Sequence, residues 1–260
     1  MTNIERGSLF REVPSDHLRV VYKGDQLRNI RAMFSGFKGT SVDISEFNTA
    51  SIRNMGILFA ECRNLERIEF GNICTDNVID MGSMFSGCFK LKYIDLSKFN
   101  TSKVKDMSCM FSDCYALEEL NLDNFSTDSL QYMCYMFSGC HKVKRIMLRA
   151  FNTGNVTDME EVFSYCYELK ALDISGFNTS NVVNMVGMFK GCKEITELDL
   201  KNFDTGNVED MTEMFKHCLK LEKLDISSFD VKKVIYRRDM FFNCDKLDTR
   251  ITRELSQCYY

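Results

Sequence analysis

The chain has 260 residues, of which 45% are hydrophobic, and a formal net charge of −4. Its 33 basic and 37 acidic side chains are scattered, which argues against a dedicated nucleic-acid surface, because such a surface carries a basic excess. No stretch approaches the ~20 apolar residues that span a bilayer. The beginning, MTNIERGSLFREV, has no apolar run of the kind found in secretory signals. We therefore expect a cytosolic protein without a membrane span, provided that Met1 is the native start.

Residues 1–26 precede a repeating region and are predicted to form its N-terminal cap. The ends of a stacked-coil protein need atypical sequence that covers the open core. The apolar residues suited to that role are Leu9, Phe10, Val13, Leu18, Val20, Val21 and Tyr22.

Residues 27–248 form nine repeat units, with a period of 26 once a one-residue deletion near Gly39 is passed. Cysteine recurs at positions 62, 88, 114, 140, 166, 192, 218 and 244. Phenylalanine recurs at positions 59, 85, 111, 137, 163, 189, 215 and 241. Because matching positions of stacked coils lie over one another, these two columns are predicted to face one continuous core.

The first half of each unit predicts a short helix. Val104, Met107, Met110 and Phe111 are spaced so that all four lie on one helical face. The residue before each column cysteine is glycine in four units and Asp, His or Asn in three others, which is typical of a left-handed residue that ends a helix. Glu61 and Tyr165 do not fit this pattern.

The second half of each unit predicts a strand of three to five residues, because apolar and polar residues alternate in segments such as 94–96 and 198–200. One short strand and one short helix per 26-residue coil predict an α/β solenoid with a parallel sheet on one face. Column cysteines ~5 Å apart have a spacing that disulfides tolerate. Inward packing and a reducing cytosol favour free thiols.

The unit F-N-T-S-x-V-x-D-M-x-x-M-F-x-x-C-x-x-L-x-x-L-D-L-S resembles the BspA-like leucine-rich repeats of bacterial surface proteins and some protists. The best match is IDLSKFNTSKVKDMSCMFSDCYALEELNL at residues 94–122, and the resemblance covers about residues 27–247. It implies a right-handed leucine-rich-repeat superhelix and a role in adhesion or other protein contacts. It carries no catalytic motif. Those relatives usually have an export signal or a lipid anchor, neither of which we expect from the residues of this sequence.

No constellation of residues predicts catalysis, a metal or a cofactor. His17, His141 and His217 lie at unrelated positions of the repeat, and the closest cysteine spacings, Cys109–Cys114 and Cys134–Cys140, are not accompanied by a second zinc-type pair. Residues 249–260 are predicted to be a C-terminal cap with a short closing helix. If Tyr259 and Tyr260 are exposed instead, that end becomes a homodimer contact. Cys258 is expected to be the most reactive thiol.

Candidate binding residues lie at variable positions of the strand face. The residue between the two apolar strand positions is usually acidic, which predicts either a solubilising, edge-protecting stripe or an anionic surface for a partner with a basic surface. Asn121 and Met147 interrupt the stripe. Met147 with its neighbours predicts an interaction hot spot with a polar rim, although drift in an unused repeat would leave the same pattern. The predicted partner-binding residues are Tyr93, Asp95, Glu119, Asn121, Arg145, Met147, Arg149, Asp173, Glu197, Asp199, Lys223 and Asp225.

These features predict a non-enzymatic, protein-binding repeat module of the cytosol, with an immunity, effector or scaffold role. The alternative is a cell-surface adhesin whose export signal lies outside this chain. An enzyme is the least favoured hypothesis, because no unit holds a constellation that its repeats lack.

Overall fold

The structure, a computed structural model, describes residues 8–251. These residues form a β-solenoid of about eight coils, most of which contain a three-residue strand. The strands are β1 His17–Arg19, β2 Ser41–Asp43, β3 Arg67–Glu69, β4 Glu119–Asn121, β5 Arg145–Met147, β6 Ala171–Asp173, β7 Glu197–Asp199 and β8 Lys223–Asp225.

The strands pair in parallel, and each residue lies beside its counterpart in the next unit. Within β4–β5–β6, Leu120 pairs with Ile146 and Ile146 with Leu172. The sheet is interrupted twice, because β1–β3, β4–β6 and β7–β8 are separate ladders. The strand predicted at residues 94–96 is not formed. The predicted cap contributes β1, which pairs with β2.

The predicted helix in each coil is wrong, because these segments are successive turns. Every second amide bonds to the next coil, as Cys109 N does to Cys134 O at 2.9 Å, so it cannot take part in a helical bond. The alternate amides close four-residue β-turns, as Met110 N does onto Met107 O at 3.1 Å. Within residues 8–251 only residues 249–251 are helical. The right-handed twist of the superhelix stays a prediction.

The left-handed residue before each column cysteine is confirmed. All nine positions have positive φ, including Glu61 at 59° and Tyr165 at 55°. A second left-handed column, four residues earlier, was not predicted from the sequence. Its non-glycine members are Ala32, Ile57, Ser83, Cys109, Tyr135, Glu161, Glu213 and Asp239. Both columns occupy the third residue of a turn type that has a positive φ at that residue. For a non-glycine residue the left-handed conformation costs about 1–2 kcal/mol, and the hydrogen bonds of the turns offset this cost.

The core is a set of stacked columns that run along the solenoid. The phenylalanine rings lie parallel, with centroids 5.9 Å apart between Phe111 and Phe137 and 5.5 Å apart between Phe137 and Phe163. Phe10, from the predicted cap, extends this column because its ring lies 5.0 Å from that of Phe34. Parallel offset rings of this spacing are a favourable aromatic arrangement.

The cysteine column is buried, as predicted, and its sulfur atoms are also hydrogen-bond donors. The Cys114 Sγ lies 3.2 Å from the Phe85 carbonyl oxygen of the preceding coil, and the other column cysteines repeat this contact. The eleven cysteines within the described residues are free thiols. A buried threonine column, missed in the sequence, has a similar role, since Thr101 Oγ1 donates to Ser126 O at 2.8 Å.

The last described coil leaves apolar surface at the C-terminal end. A cavity of about 560 Å³ is bordered there by Met240, Phe242 and Leu247. Residues 249–251 begin the predicted closing helix, whereas Cys258, Tyr259 and Tyr260 lie outside the described residues. The dimer contact predicted for that end therefore stays a prediction.

Truncation of a ring in the phenylalanine column tests the core. We expect Phe137→Ala to reduce the free energy of unfolding by about 3–5 kcal/mol, because the fully buried ring leaves a cavity between two coils. Phe242→Ala is the control, since that side chain is 51% exposed. Urea unfolding measures both, and a loss below about 1 kcal/mol for Phe137→Ala would contradict its inward position.

Thiol reactivity tests the stacking of the coils. Burial raises the pKa of the Cys62, Cys140 and Cys192 thiols to about 12, so almost no thiolate is present at neutral pH. We expect the native protein to react with a thiol reagent at the half-buried Cys74, Cys109 and Cys134 long before the seven column cysteines from Cys62 to Cys218, because the side chains of these seven are inaccessible to the reagent. Rapid native labelling of most of the column would contradict the architecture.

Candidate functional site

The acidic stripe of the strand face is also a row of turn caps. In most coils the carboxylate that ends the strand accepts a bond from the residue two positions later, which is the geometry of an Asx turn. The Asp173 Oδ1 accepts both the Ser175 amide at 3.1 Å and the Ser175 hydroxyl at 2.7 Å. Asn121 makes the same turn, with the Asp123 amide 3.0 Å from its Oδ1. The stripe therefore has a structural role that neither predicted alternative included.

The hydrogen bonds of these turns stabilise the charged carboxylates. The serine hydroxyl first, and then the serine amide, hold the pKa of Asp43, Asp173 and Asp225 below its ordinary value. The Ser97 amide has the largest effect on the pKa of Asp95, and the Lys201 side chain has the largest effect on that of Asp199, both downward. Stacking of like charges is thus tolerated because each carboxylate is bonded within its own coil.

The coil that contains β5 replaces this turn. Met147 stands where other coils have the acidic cap, and Arg149 stands where four of them have serine. Met147 has no oxygen to accept the Arg149 amide, and the amide instead donates to Asp123 Oδ1 of the preceding coil at 3.1 Å. The side chains of Met147 and Arg149 therefore do not cap the turn of this coil.

A shallow cavity of about 330 Å³ opens at this substituted turn. Arg145, Met147 and Arg149 border it on one side, and Ala171 and Asp173 border it on the other. Met147 is half-buried, not fully exposed as the sequence suggested, while both arginines are exposed. The depression combines an apolar floor with a charged rim.

The structure groups only some of the predicted residues. Glu119 and Asn121 lie on β4 beside β5, next to the cavity. Tyr93 is 72% exposed and lies with Asp95 on the segment that forms no strand. The other predicted residues lie on the separate β7–β8 ladder: Glu197, Asp199, Lys223 and Asp225.

Sequence reasoning missed three residues that line the cavity, Ile146, Ala171 and Leu172. Ala171 had a visible signal. The equivalent residues of the three preceding coils, Tyr93, Glu119 and Arg145, have large side chains. The small side chain of Ala171 therefore leaves space beside its neighbours. Leu172 is half-buried where the equivalent Ile146 is buried, which exposes apolar surface to the depression.

A second unpredicted feature is an aromatic ladder, formed by the residues that follow four column cysteines: Phe89, Tyr115, His141 and Tyr167. The His141 ring lies 4.4 Å from that of Tyr115 and 4.6 Å from that of Tyr167. The Lys193 ammonium covers the outer face of Tyr167 at 3.9 Å. Burial lowers the pKa of His141 from its ordinary value. Because ring faces are covered and only edges reach solvent, the ladder acts as a packing feature.

Within residues 8–251, no group of three or more His, Cys, Asp or Glu side chains is placed to hold a metal ion. No helix in this part of the chain is long and apolar enough to cross a membrane.

Comparisons with known proteins retrieve one family and several solved structures. The model of the family described as "Mycoplasma protein of unknown function, DUF285" matches residues 28–148 and 133–254. No curated protein matches the sequence. A similar solved structure is a leucine-rich repeat protein of T. pallidum, with 21% identity and a TM-score of 0.41, covering 69% of this chain and 83% of that one.

Two further structures are similar. A leucine-rich repeat protein from Bacteroides ovatus ATCC 8483 has 17% identity and a TM-score of 0.40, covering 85% of this chain and 69% of that one. A leucine-rich cell surface protein from Faecalibacterium prausnitzii A2-165 has 17% identity and a TM-score of 0.39, covering 82% and 61%. All three are leucine-rich-repeat proteins, the class that the repeat unit resembles.

The turn caps predict a pH dependence of stability. A carboxylate whose folded pKa is below its unfolded value stabilises the fold above about pH 4, and this contribution is lost as the pH falls through the folded pKa. Changing Asp95, Asp173 and Asp225 to Asn keeps the accepting oxygen but removes the titration. We expect the triple variant to lose less stability than the parent between about pH 5 and pH 3.

Urea unfolding at both pH values measures the effect. The control changes Glu66, Glu118 and Glu222 to Gln, three exposed carboxylates for which residues 8–251 provide no side-chain hydrogen bond. If the loss of stability between about pH 5 and pH 3 is reduced equally in both triple variants, the Asx turns are not the source of the acid sensitivity.

Proposed function

The chain belongs to the DUF285 family, a family of unknown function, and we propose that it is a non-enzymatic repeat module that binds a protein partner through its strand face. The binding site is the cavity between β5 and β6, with Arg145, Met147 and Arg149 as its central residues. The cavity at the substituted turn is the single observation that carries this proposal.

The composition of the depression supports protein binding. Interaction hot spots are enriched in arginine and large apolar side chains that are surrounded by polar residues. Methionine is common at binding surfaces, because its flexible, polarizable side chain adapts to different partner shapes. Most other coils present a bonded carboxylate at the same position, and the β4 coil presents the amide of Asn121, so the β5 coil is the one in which an apolar side chain stands there.

The shape of the molecule favours the same class of ligand. A short strand per coil creates an extended surface, and stacked-repeat proteins use such surfaces for binding. The cavity is open and shallow, and its lining has neither a histidine nor a nucleophile beside a base. A protein segment laid along β4–β6 would contact the predicted Glu119 and Asn121 as well as the cavity. Cytosolic placement stays a prediction from the sequence.

We expect Arg145→Glu combined with Met147→Asp to abolish partner binding with little change in the thermal unfolding temperature. Both side chains lie at the surface of β5, whose buried anchor is Ile146, so the core is untouched. An affinity pull-down from the native host, read by mass spectrometry, would identify the partner of the parent protein and its loss in the variant.

The control is Lys223→Glu combined with Asp225→Asn on β8, which changes the same face away from the cavity. We expect this variant to retain the partner. Capture of the same partner at parental strength by the β5 variant would remove the cavity from the binding site.

A further inference from the structure

The cations of the strand face differ in how they are paired. Six Lys or Arg residues occupy the two outward strand positions or the position two residues after the strand. Four of them form salt bridges: Arg19 with Asp43, Arg67 with Glu69, Lys201 with Asp199, and Lys223 with Glu197. The other two, Arg145 and Arg149, have no salt bridge or side-chain hydrogen bond within residues 8–251. Both border the cavity.

Two carboxylates near the cavity already accept hydrogen bonds through their Oδ1 atoms. Asp173 accepts two bonds from Ser175, and Asp123 accepts the Arg149 amide. Arg149 lowers the pKa of Asp173 through its charge, but this effect is smaller than those of the serine hydrogen bonds. Within residues 8–251 neither guanidinium group donates a hydrogen bond to these carboxylates or to Glu119, the residue that pairs with Arg145 on β4, so the guanidinium donors remain available.

Two exposed lysines, Lys144 and Lys170, immediately precede β5 and β6, but neither borders the cavity. The unpaired donors beside the apolar floor formed by Met147 and Leu172 are therefore the guanidinium groups of Arg145 and Arg149.

From this arrangement we infer that the partner of the cavity is an acidic peptide segment in which one large apolar side chain is flanked by carboxylates. The inference rests on the proposed function and specifies the chemistry of its partner. The apolar side chain packs on Met147 and Leu172, and the flanking carboxylates pair with Arg145 and Arg149. Guanidinium groups suit this role because they bind carboxylates through two parallel hydrogen bonds.

This partner differs from the basic one that the sequence predicted. That prediction treated the acidic stripe as available charge. The stripe carboxylates Asp95, Asp173 and Asp225 are instead hydrogen-bonded within their own turns, whereas Arg145 and Arg149 of the β5 coil have no salt bridge within residues 8–251. Charge complementarity therefore favours an acidic ligand at this cavity.

Synthetic peptides test the inference directly. The probe is a fluorescent nine-residue peptide with a central phenylalanine and two glutamates on each side. Comparison peptides replace the glutamates with lysines, or the phenylalanine with serine. We expect the acidic peptide to bind the full-length protein in anisotropy titrations. We also expect roughly tenfold weaker binding of both comparison peptides, and weaker binding of the acidic peptide as salt rises from about 50 to 300 mM.

Charge reversal locates the site. We expect Arg145→Glu with Arg149→Glu to weaken the acidic peptide at least about tenfold and to strengthen the lysine peptide. The matched control, Arg67→Glu with Lys223→Glu, reverses two cations that are paired within the protein, and we expect it to leave the acidic peptide's affinity unchanged. Circular dichroism and thermal unfolding confirm that both variants are folded.

Several results would overturn the inference: no binding of the acidic peptide, equal binding of the lysine peptide, an equal effect of the control, or tighter binding of a single-stranded oligonucleotide. The pull-down from the native host shows whether only the acidic-peptide inference fails or the proposed function fails as well. If the β5 variant loses a partner whose binding segment is basic, the cavity is the binding site and only the acidic chemistry is wrong. If it retains the partner, the proposed function fails as well.

Discussion

The fold depends on the hydrogen bonds between successive coils. Amides of the strands and alternate amides of the turn segment bond to carbonyl oxygens of the neighbouring coil, as Cys109 N does to Cys134 O. This pairing sets the register between coils, because a shift of one residue within a strand would change which side chains face the interior. The columns of Phe, Cys and Thr follow from it, and each column then adds ring stacking, S–H···O bonds or hydroxyl bonds to the same register.

The period of the sequence predicts the columns but not the local structure between them. Val104, Met107, Met110 and Phe111 face inward in either a helix or a chain of β-turns, since both return to the same face every three or four residues. The choice depends on whether the amides bond within the segment or to the next coil, which is a non-local property. The left-handed residues before the cysteines were predictable because glycine, Asp and Asn recur there. Glu161 and Ile57 gave no such signal at the second column.

The candidate site was predictable in part for the same reason. The sequence predicted that Arg145 and Met147 lie on the outward side of a strand, because the alternation of inward and outward side chains depends only on neighbouring residues. It did not reveal that Asp173 caps a turn, since an Asx bond and a free surface carboxylate have the same one-letter pattern. The cavity itself depends on the contrast between Ala171 and the larger residues before it in the column.

Substitution of a turn cap changes the surface of one coil without disturbing its core. In the β5 coil both partners of the Asx turn change together, to Met147 and Arg149, and the orphaned amide finds Asp123 of the preceding coil. An unsatisfied amide would cost about 1–3 kcal/mol if it were buried, so this replacement bond preserves the turn. The buried neighbours Ile146 and Leu148 keep their places in the core. A coil altered in this way gains an apolar surface and free guanidinium groups at the same point, while the backbone register that holds the solenoid together is unchanged.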